Sequence, residues 1–432
     1  MSELLERLDT RDARVAILGQ GYVGLVVAMR ASEAGFPVVG YEPDHQRYEA
    51  LCAGRSYVVD VPDETLQAAI ERGYRPSNDP KDLADFDVAV ISVPTPLHEG
   101  LPDLSFVTAA AENTGDALRP GALVILESTT YPGTTEELVA PILEARSNGL
   151  RPGVDYLLGY SPERIDPGNP LYGLTNTPKV ISGVDEASLE AVRRFYGAFV
   201  EKLVPMDSPA DAELVKLIEN TFRHVNIALM NELAVFAAEL GMNVWKAVDA
   251  AATKPFGYMP FYPGPGVGGH CLPVDPSYLS WRVKRQLGHT FRFVELANEV
   301  NDHMPEYVVR RIGDQLNHDG LALHGSRVLV LGLAYKPNTG DARESPSLPV
   351  IEGLRQKGAT VAIAEPHVEN LHLDPSVELV ACTAGEVRKA DVVVVITDHD
   401  EFDYDMVQRE ATRIFDTRNR YRDAGAANVE RL

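Results

Sequence analysis

The segment 14–42, RVAILGQGYVGLVVAMRASEAGFPVVGYE, constrains the fold more than any other part of the sequence. It begins with a continuous apolar run, which is typical of a parallel strand buried on both faces. Three closely spaced glycines follow, then a stretch of helical length that stops at Gly35, then a second apolar run that ends at Glu42. This order predicts a strand, a helix and a parallel strand, the unit from which doubly wound α/β sheets are built.

The three glycines, Gly19, Gly21 and Gly24, have the spacing G-x-G-x-x-G between the predicted strand and helix. The first permits a tight turn, the second lets the backbone approach a pyrophosphate, and the third allows close helix packing. The helix N-terminus adds N–H donors and positive potential. Glu42 follows at the spacing expected for an acid that binds the adenosine ribose hydroxyls, and its charge should repel the 2′-phosphate of NADP. The segment therefore predicts a site for NAD.

Further apolar runs at 88–93 and 122–126 each end in small polar or proline residues, in SVPTPL and ESTTYPG. Ligands of open α/β sheets bind outside the carboxyl ends of the strands. We therefore expect these turns to contact the cofactor together with the glycine turn. The predicted cofactor contacts in the three turns also include Tyr22, Val23, Pro94, Thr95, Ser128 and Thr129.

From about Ser208 the sequence changes to long helical patterning, in DAELVKLIENTFRHVNIALMNELAVFAAELG. This region contains one loop that is dense in proline and glycine, PFYPGPGVGGHCLPVDPSYL. A loop with so many residues of special backbone geometry is usually functional. We predict a central helical domain that carries this loop.

A second strand–helix–strand unit begins near Arg327 and repeats the first in outline. Its second strand ends in Glu-Pro at Glu365, as that of the first unit does at Glu42, but it lacks the full glycine triplet after Gly332. We predict an α/β protein with two doubly wound Rossmann-like domains joined by the central helical domain. The predicted boundaries are 1–205, 206–312 and 313–432.

The composition excludes several classes of protein. The apolar fraction of 45% and the charged fraction of 24% are those of a soluble globular protein. A formal net charge of −23 argues against binding to nucleic acid or anionic membranes, because the overall field repels polyanions. No apolar run reaches membrane-spanning length, and the first residues are polar and acidic where a signal peptide is basic and then apolar. We therefore expect a cytoplasmic protein.

Three cysteines, Cys52, Cys271 and Cys382, are too few for a disulfide framework or a clustered metal site, and no metal is predicted. We interpret Cys52 and Cys382 as small buried hydrophobes. Cys271 differs because it lies just before Asp275 in a loop whose glycine and proline residues allow close backbone approach, and these flanking residues favour a reactive thiol. The adjacent His270 either favours the thiolate or has a structural role.

Seven separated motifs occur along the chain. They are GQGYVG, SVPTP, ESTTYPGTT, GYSPERIDPGN, KLIENTFRHVNIALMNELA, PGPGVGGHCLPVDPSYL and LAYKPNTGDARESPS. In sequence and order they resemble the UDP-glucose/UDP-N-acetylhexosamine (GDP-mannose) 6-dehydrogenase family. The resemblance implies an N-terminal NAD domain, a central dimerisation domain and a C-terminal domain that binds the nucleotide end of a sugar nucleotide. It also implies an NAD-dependent, four-electron oxidation of the C6 hydroxymethyl group to a carboxylate by a homodimer or higher homo-oligomer.

The same resemblance implies roles for individual residues. Cys271 would be the nucleophile that holds the intermediate aldehyde as a thiohemiacetal and then a thioester. Lys216 and Asn220, one helical turn apart, would stabilise the oxyanions. Either Glu163 or Asp275 would activate the hydrolytic water. The predicted catalytic residues are Cys271, Lys216, Asn220, Asp275, Glu163 and Thr129.

Substrate contacts follow from the same resemblance. Lys336 and Arg343 in KPNTGDARES resemble contacts of the C-terminal domain, and Arg343 matches a residue that meets a sugar nucleotide bound mainly by the neighbouring subunit. Thr129 resembles a hydroxyl residue that positions water near the cofactor, and Arg343 is a further predicted cofactor contact. The predicted substrate contacts are Glu163, Arg164, Lys216, Asn220, Asn226, Tyr262, Gly268, Lys336 and Arg343.

The cysteine loop bears on the choice of sugar. His270 before the cysteine and Pro-Val-Asp after it differ from typical UDP-glucose enzymes, which have a small hydroxyl residue before it and Lys-Asp after it. GHCLPVDP and SPERIDPGN are more similar to enzymes acting on UDP-N-acetylglucosamine or UDP-N-acetylmannosamine. UDP-glucose and dTDP-glucose remain alternatives. Two alternatives of another class are a two-electron hydroxy-acid or 6-phosphogluconate-type dehydrogenase and an epimerase or lyase that retains NAD.

Overall fold

The computed structural model describes residues 2–98, 100–166, 168–269, 272–368, 374–422 and 426–432. The chain divides into two compact units. The first comprises Met1–Glu219 with Ser277–Leu287, and the second comprises Asn220–Pro276 with Gly288–Leu432.

The first unit is built on a mainly parallel sheet. Its strands are β1 (Val15–Leu18), β2 (Val38–Tyr41), β3 (Arg75–Ser77), β4 (Val88–Ile91), β7 (Leu123–Leu126), β8 (Leu157–Tyr160), β9 (Lys179–Gly183) and β10 (Leu203–Pro205), and a separate hairpin pairs β5 (Leu97–His98) with β6 (Leu101–Pro102). Within the described residues the sheet has eight strands in the order β10-β9-β8-β7-β4-β1-β2-β3. Neighbouring strands are parallel except β8 and β9, which run antiparallel with Tyr160 opposite Ser182.

Helices cover both faces of this sheet, because alternate residues of the buried strands point to opposite sides. Val15 and Ile17 of β1 pack in one apolar core, and Ala16 and Leu18 pack in another. Two such cores, one on each face, define a doubly wound domain. The helices are α1 (Ser2–Thr10), α2 (Gly24–Glu33), α3 (His45–Cys52), α4 (Asp63–Glu71), α5 (Ser105–Ala117), α6 (Ala140–Arg146) and α7 (Glu186–Tyr196).

The second unit contains a second parallel sheet. Its strands are β11 (Arg327–Leu331), β12 (Thr360–Ala364), β13 (Glu378–Leu379), β14 (Val392–Val395), β15 (Ile414–Asp416) and β16 (Val429–Arg431). In the part of the chain that the structure describes, their order is β13-β12-β11-β14-β15-β16. Val328 and Val330 of β11 face one core, whereas Leu329 and Leu331 face another, so this sheet is also buried on both faces.

The helices after the first sheet are α8 (Pro209–Glu239), α9 (Val244–Ala252), α10 (Asp275–Leu287), α11 (Arg292–His318), α12 (Ser347–Gln356), α13 (Ala384–Lys389) and α14 (Tyr404–Glu410). They include two long ones, α8 and α11, of 31 and 27 residues. In the second unit, Met230 and Ala234 of α8 pack against Trp245 and Val248 of α9. Helices α8 and α10 contribute residues to both units, because the division falls within each of them.

The predicted fold class is confirmed, with two doubly wound sheets and long helices between them in the sequence. The helical pattern predicted from Ser208 corresponds to α8. The reversed direction of β9 was not predicted. The domain boundaries predicted after residues 205 and 312 remain predictions. Among the helices of the described residues, none has the length and apolar character needed to cross a membrane.

One interpretation from the sequence is wrong. Cys52, expected to be a buried hydrophobe, is exposed at the last residue of α3, while its neighbour Leu51 is fully buried. Successive helical residues point in different directions, so an apolar neighbour says little about the burial of a single cysteine. Cys382 is half-buried against the core of the second unit, where burial, assisted by the charge of Asp403, raises the pKa of its thiol to about 11.

Candidate functional site

The glycine turn after β1 contains two glycines required by packing and one that packing does not explain. Gly19 has a positive φ of 91°, and a Cβ atom there would overlap the carbonyl of Ser92. A Cβ atom on Gly24 would overlap the carbonyl of Gly19. At Gly21, by contrast, no heavy atom of the described residues lies within 4 Å of such a Cβ. The open space at Gly21 fits a pyrophosphate that approaches the backbone.

Glu42 stands at the end of β2, beside this turn, and is only 5% exposed. Its carboxylate accepts hydrogen bonds of 3.1 Å from the backbone N–H of Gln20 and from that of Asp44. The acid is therefore fixed next to the turn, where its charge disfavours a 2′-phosphate. Tyr22 is exposed and Val23 half-buried at the start of α2.

The turns after β4 and β7 are joined by a side chain. The hydroxyl of Ser128 accepts from the backbone N–H of Val93 at 2.9 Å and donates to its carbonyl at 2.8 Å. Because β1, β4 and β7 are adjacent parallel strands, the turns that follow them lie at one edge of the sheet. The predicted cofactor contacts Pro94, Thr95 and Thr129 belong to these turns. Arg343 belongs to the second unit.

Glu163 lies in the turn after β8 and is 7% exposed. One carboxylate oxygen accepts from the backbone N–H groups of Arg164 and Ile165, at 2.6 Å and 2.5 Å. The other lies 3.7 Å from Nζ of Lys179, which also bonds Glu127 at 2.5 Å. Sequence reasoning missed Lys179 and Glu127. The sequence feature that could have identified Lys179 is a lysine at the start of the apolar strand KVISG.

Arg164 was predicted to contact substrate. In the structure its guanidinium donates to Glu219 at 2.5 Å and to the carbonyl of Pro178 at 2.6 Å. These partners orient the side chain within the first unit, and its contact with substrate remains a prediction.

Lys216 is buried on α8, one turn after Glu213. The carboxylate of Glu213 accepts hydrogen bonds from the backbone N–H of Gly133 at 2.5 Å and from the hydroxyl of Thr135 at 2.7 Å. Burial raises the pKa of Glu213 to about 7, although these donors act in the opposite direction. Glu213 was missed because, in the sequence, it is one of many charged helix residues.

Asn220 and Asp275 form a buried pair in the second unit. The side-chain amide of Asn220 donates to Oδ2 of Asp275 at 2.5 Å, and the two residues are 4% and 2% exposed. Asp275 is the first residue of α10, where a helix N-terminus stabilises negative charge. The predicted nucleophile Cys271 and its neighbour His270 lie outside the described residues.

The described part of the cysteine loop is held at two points. The backbone N–H of Gly264 donates to Asn231 of α8 at 2.8 Å, and that of Gly269 donates to the carbonyl of Arg343 at 3.1 Å. A Cβ atom on Gly268 would lie 2.8 Å from the side chain of Tyr335. The predicted substrate residues Gly268 and Arg343 are therefore brought together.

Two further predicted substrate residues have protein partners in the second unit. Asn226 donates to the carbonyl of Phe222, one turn earlier on α8, at 2.7 Å. The hydroxyl of Tyr262 donates to Asp249 at 2.8 Å, and its ring stacks on that of Trp245. Their roles in binding remain predictions.

Three cations are candidates for a diphosphate in the second unit. Lys336 is half-buried, and Arg343 is exposed with an ion pair of 2.6 Å to Asp341. Sequence reasoning missed Arg418, which follows β15 at the carboxyl edge of the sheet and donates to the carbonyl of Ile396 at 2.7 Å. The sequence feature that could have identified Arg418 is a basic residue two positions after the end of an apolar strand.

The second sheet has an acid, Glu365, at the position that corresponds to Glu42 in the first sheet, but its hydrogen-bond partners differ. Glu365, at the end of β12, accepts from the backbone N–H groups of Leu333 at 2.5 Å and His367 at 2.7 Å. His399 bonds the same carboxylate at 3.2 Å. Burial alone would raise the pKa of Glu365, but these hydrogen bonds outweigh it and lower that pKa to about 2. Since protein groups occupy this carboxylate, it does not need a ribose as partner.

The chain matches three successive domains described for one family. Residues 13–200 match the NAD binding domain of the UDP-glucose/GDP-mannose dehydrogenase family, residues 210–303 its central domain, and residues 329–423 its UDP binding domain. The chain belongs to the UDP-glucose/GDP-mannose dehydrogenase family. This membership confirms the predicted NAD-dependent nucleotide-sugar dehydrogenase, with NAD as its cofactor.

Individual relatives carry several names within this dehydrogenase family. UDP-N-acetyl-D-mannosamine dehydrogenase of Pyrococcus horikoshii is 37% identical over 391 residues, which cover 90% of each chain. The solved structure of UDP-D-ManNAc dehydrogenase from the same organism covers 97% of this chain and 99% of its own, with a TM-score of 0.88 and 33% identity. A UDP-glucose dehydrogenase from Pyrobaculum islandicum has a TM-score of 0.87 at 30% identity and covers 97% of both chains. Backbone similarity therefore does not decide the sugar.

Proposed function

We propose that this dehydrogenase oxidises the C6 hydroxymethyl group of UDP-N-acetylmannosamine, or of its epimer UDP-N-acetylglucosamine, to the uronic acid. The motifs GHCLPVDP and SPERIDPGN and the name of the Pyrococcus horikoshii relative support this choice of sugar. UDP-glucose and dTDP-glucose remain the alternatives within the family, because a UDP-glucose enzyme has nearly the same fold.

The conversion of a primary alcohol to an acid consumes one water and removes two hydrides and two protons. NAD⁺, when bound, accepts each hydride. The thiolate of Cys271 adds to the carbonyl carbon of the intermediate aldehyde and gives a thiohemiacetal. Loss of the second hydride converts this adduct to a thioester. Water then attacks the carbonyl carbon, the C–S bond breaks, and the acid and the thiolate are released.

The buried Asn220–Asp275 hydrogen bond is the observation that carries the proposed cysteine mechanism. It fixes a carboxylate four residues after Cys271 in the sequence. Burial of a carboxylate costs free energy, which favours a functional role for this pair. Lys216, one helical turn before Asn220, is a buried cation. A lysine and an amide on one helix face suit the stabilisation of an oxyanion in both halves of the reaction.

Glu163 is the candidate for the base that activates the hydrolytic water. Among the described residues, its Oε2 has no hydrogen-bond partner although the side chain is buried. That oxygen can accept a proton from water as the water attacks the thioester. Thr129 is assigned the positioning of water near the cofactor.

The diphosphate of the substrate requires local positive charge, because the whole chain has a net charge of −23. Lys336 and Arg343 in the UDP binding domain, together with Arg418, supply cations in the second unit. Arginine can bind phosphate oxygens in a bidentate manner.

A homodimer is proposed from the exposed surface of the second unit. Apolar side chains recur at helical spacing along one face of α8, at Phe222, Leu229, Leu233 and Phe236, and Leu240 follows directly after the helix. Each of them is at least 43% exposed, which is unusual for a contiguous apolar stripe on a monomer. A second copy of the same helix would bury this stripe.

A panel of sugar nucleotides tests the substrate. The purified enzyme is offered NAD⁺ with UDP-N-acetylmannosamine, UDP-N-acetylglucosamine, UDP-glucose or dTDP-glucose, and kcat/KM is measured from NADH. We expect one of the two acetamido sugars to exceed both glucose nucleotides by at least about tenfold. A higher kcat/KM for either glucose nucleotide would overturn the assignment of the sugar and leave the family unchanged.

A further inference from the structure

Lys179 lies at the carboxyl edge of strands β7 and β8 because β9 runs antiparallel to β8. A parallel strand would present its last residue at this edge, whereas β9 presents its first. Tyr160 of β8 lies opposite Ser182 of β9, and continuing this register by three residues sets Glu163 opposite Lys179. The reversed direction of β9 therefore places Lys179 beside the turn that contains the candidate base, Glu163.

The cation is deeply buried and has several partners. Lys179 is 3% exposed, with Nζ 2.5 Å from Oε1 of Glu127 and 3.7 Å from Oε2 of Glu163. Its Nζ also lies 4.7 Å from the ring centre of Tyr196, whose hydroxyl donates to Glu127 at 3.1 Å. Glu127 is the first residue after β7, so three strand ends supply this cluster.

The two carboxylates differ in how they are satisfied. Glu127 shares its oxygen Oε1 with Lys179 and Tyr196, and burial, with the charge of Glu163, raises its pKa. Glu163 has Oε1 fixed by two backbone N–H groups, while Oε2 faces the lysine beyond hydrogen-bond distance. One oxygen of this buried carboxylate is fixed by backbone N–H groups, and the other has no hydrogen-bond partner among the described residues. Such a carboxylate is oriented for proton transfer, provided that a cation compensates its charge.

We propose that Lys179, itself held by Glu127 and Tyr196, is a positioning residue for thioester hydrolysis. Its ion pair orients the carboxylate of Glu163 so that Oε2 accepts the proton of the attacking water. This inference rests on the proposed function, which assigns Glu163 to that step. The two hydride transfers precede hydrolysis and do not depend on Lys179.

Three variants test the proposal. Removal of Lys179 alone would leave Glu127 buried without a cation, so the double variant Glu127→Gln/Lys179→Met removes the pair together. Lys179→Arg retains the positive charge. Arg311→Met/Glu430→Gln removes a partly buried pair of 2.7 Å in the second unit and is the matched control for general loss of stability.

The readout separates oxidation from hydrolysis. Each enzyme is mixed with NAD⁺ and UDP-N-acetylmannosamine, or the sugar that the substrate panel identifies. NADH is followed in the first turnover, and the acyl-enzyme is measured by rapid acid quench and intact-protein mass. For Glu127→Gln/Lys179→Met we expect an unchanged first-turnover release of NADH and a decay of the acyl-enzyme slower by about tenfold or more. Lys179→Arg should recover most of the decay rate, and the control pair should match the wild type.

Three results would overturn the proposal. One is acyl-enzyme decay at the wild-type rate in the double variant. The second is an equal loss of first-turnover NADH release and of the decay rate in the double variant, which would mean general damage to the fold. The third is decay in Lys179→Arg as slow as in the double variant, which would mean that the positive charge does not orient Glu163. If the wild type forms neither NADH nor acyl-enzyme with any sugar nucleotide of the panel, the proposed function itself fails. If the wild type forms NADH and acyl-enzyme and the variants decay at the wild-type rate, the role of Lys179 is contradicted and the proposed function is not.

Discussion

Glu213 of α8 accepts a hydrogen bond of 2.9 Å from the backbone N–H of Thr135. The same carboxylate accepts from the N–H of Gly133, and the residue is fully buried. These bonds connect the segment after β7, which contains Thr129, to the helix that carries Lys216. Glu213 thus holds together the two segments of the first unit that contain the predicted catalytic residues Thr129 and Lys216.

Glu213 should make stability depend on pH. Burial raises the pKa of Glu213 from 4.5 to about 7. Because the folded-state pKa is the higher one, the stabilisation is complete below the unfolded pKa and is lost as pH rises through about 7. We expect Glu213 to lower the free energy of unfolding by about 3 kcal/mol between about pH 5 and about pH 8.

Urea unfolding of the wild type and of Glu213→Gln over this pH range measures the effect. Other groups also titrate, so the quantity of interest is the difference between the two proteins. The free energy of unfolding of the wild type minus that of Glu213→Gln should fall by about 3 kcal/mol as pH rises from about 5 to about 8. Glu232→Gln, at an exposed position of α8, should differ from the wild type by a constant amount. A difference for Glu213→Gln that does not change with pH would refute the prediction.

The glycine turn allows binding to be separated from packing. Gly21→Ala places a methyl group in open space, so we expect the melting temperature to stay the same and the Kd for NAD⁺ to rise by about tenfold or more. Gly24→Ala overlaps the carbonyl of Gly19, so it should lower the melting temperature instead. Calorimetry and NAD⁺ titration check both. An unchanged Kd for Gly21→Ala would mean that no pyrophosphate lies at this turn.

The Asn220–Asp275 pair can be reversed. Asn220→Asp alone places two buried carboxylates together and should destabilise the protein by about 3 kcal/mol. The exchange Asn220→Asp/Asp275→Asn restores one donor and one acceptor and should recover most of this stability. Its kcat should nevertheless stay at least about a hundredfold below the wild type, because the exchange moves the carboxylate from position 275 to position 220 and the amide that stabilises the oxyanion away from α8. Unfolding and steady-state kinetics on the same samples test this, and a fully active exchange variant would show that the pair is purely structural.

The exposed stripe on α8 predicts the oligomeric state. Leu233→Glu/Phe236→Glu should convert the dimer to monomers, since charges in an apolar interface are unfavourable. Leu171→Glu alters a side chain in the first unit that is 73% exposed and serves as the control. Sedimentation velocity distinguishes the species. A wild type that sediments as a monomer, or a double variant that remains a dimer, would contradict the prediction.

The cofactor side of the site was largely predictable from sequence because its signals are local. The glycine spacing, the apolar runs and Glu42 all occur within one strand–helix–strand unit, and the structure arranges them as that unit requires. The glycine spacing predicted separate roles for Gly19, Gly21 and Gly24, but the close approach of Gly19 to the carbonyl of Ser92, in the turn after β4, depends on the fold.

The charged residues that support the site were not predictable in the same way. Lys179 lies 52 residues from Glu127, and Glu213 lies 78 residues from Thr135. Each pair forms because distant strand ends and a helix meet at one edge, and the role of Lys179 further depends on the reversed direction of β9. A single sequence records neither the strand order nor the strand direction. Such residues therefore look like ordinary surface charges until the fold is known.

The proposed reaction is a four-electron oxidation through a thioester on Cys271. It is tested by the number of NADH molecules formed per sugar nucleotide consumed, with Cys271→Ser studied in parallel. We expect two NADH per sugar for the wild type, an acyl-enzyme that can be trapped in the first turnover, and no such species in the serine variant. One NADH per sugar, or two with undiminished rate in Cys271→Ser, would contradict it.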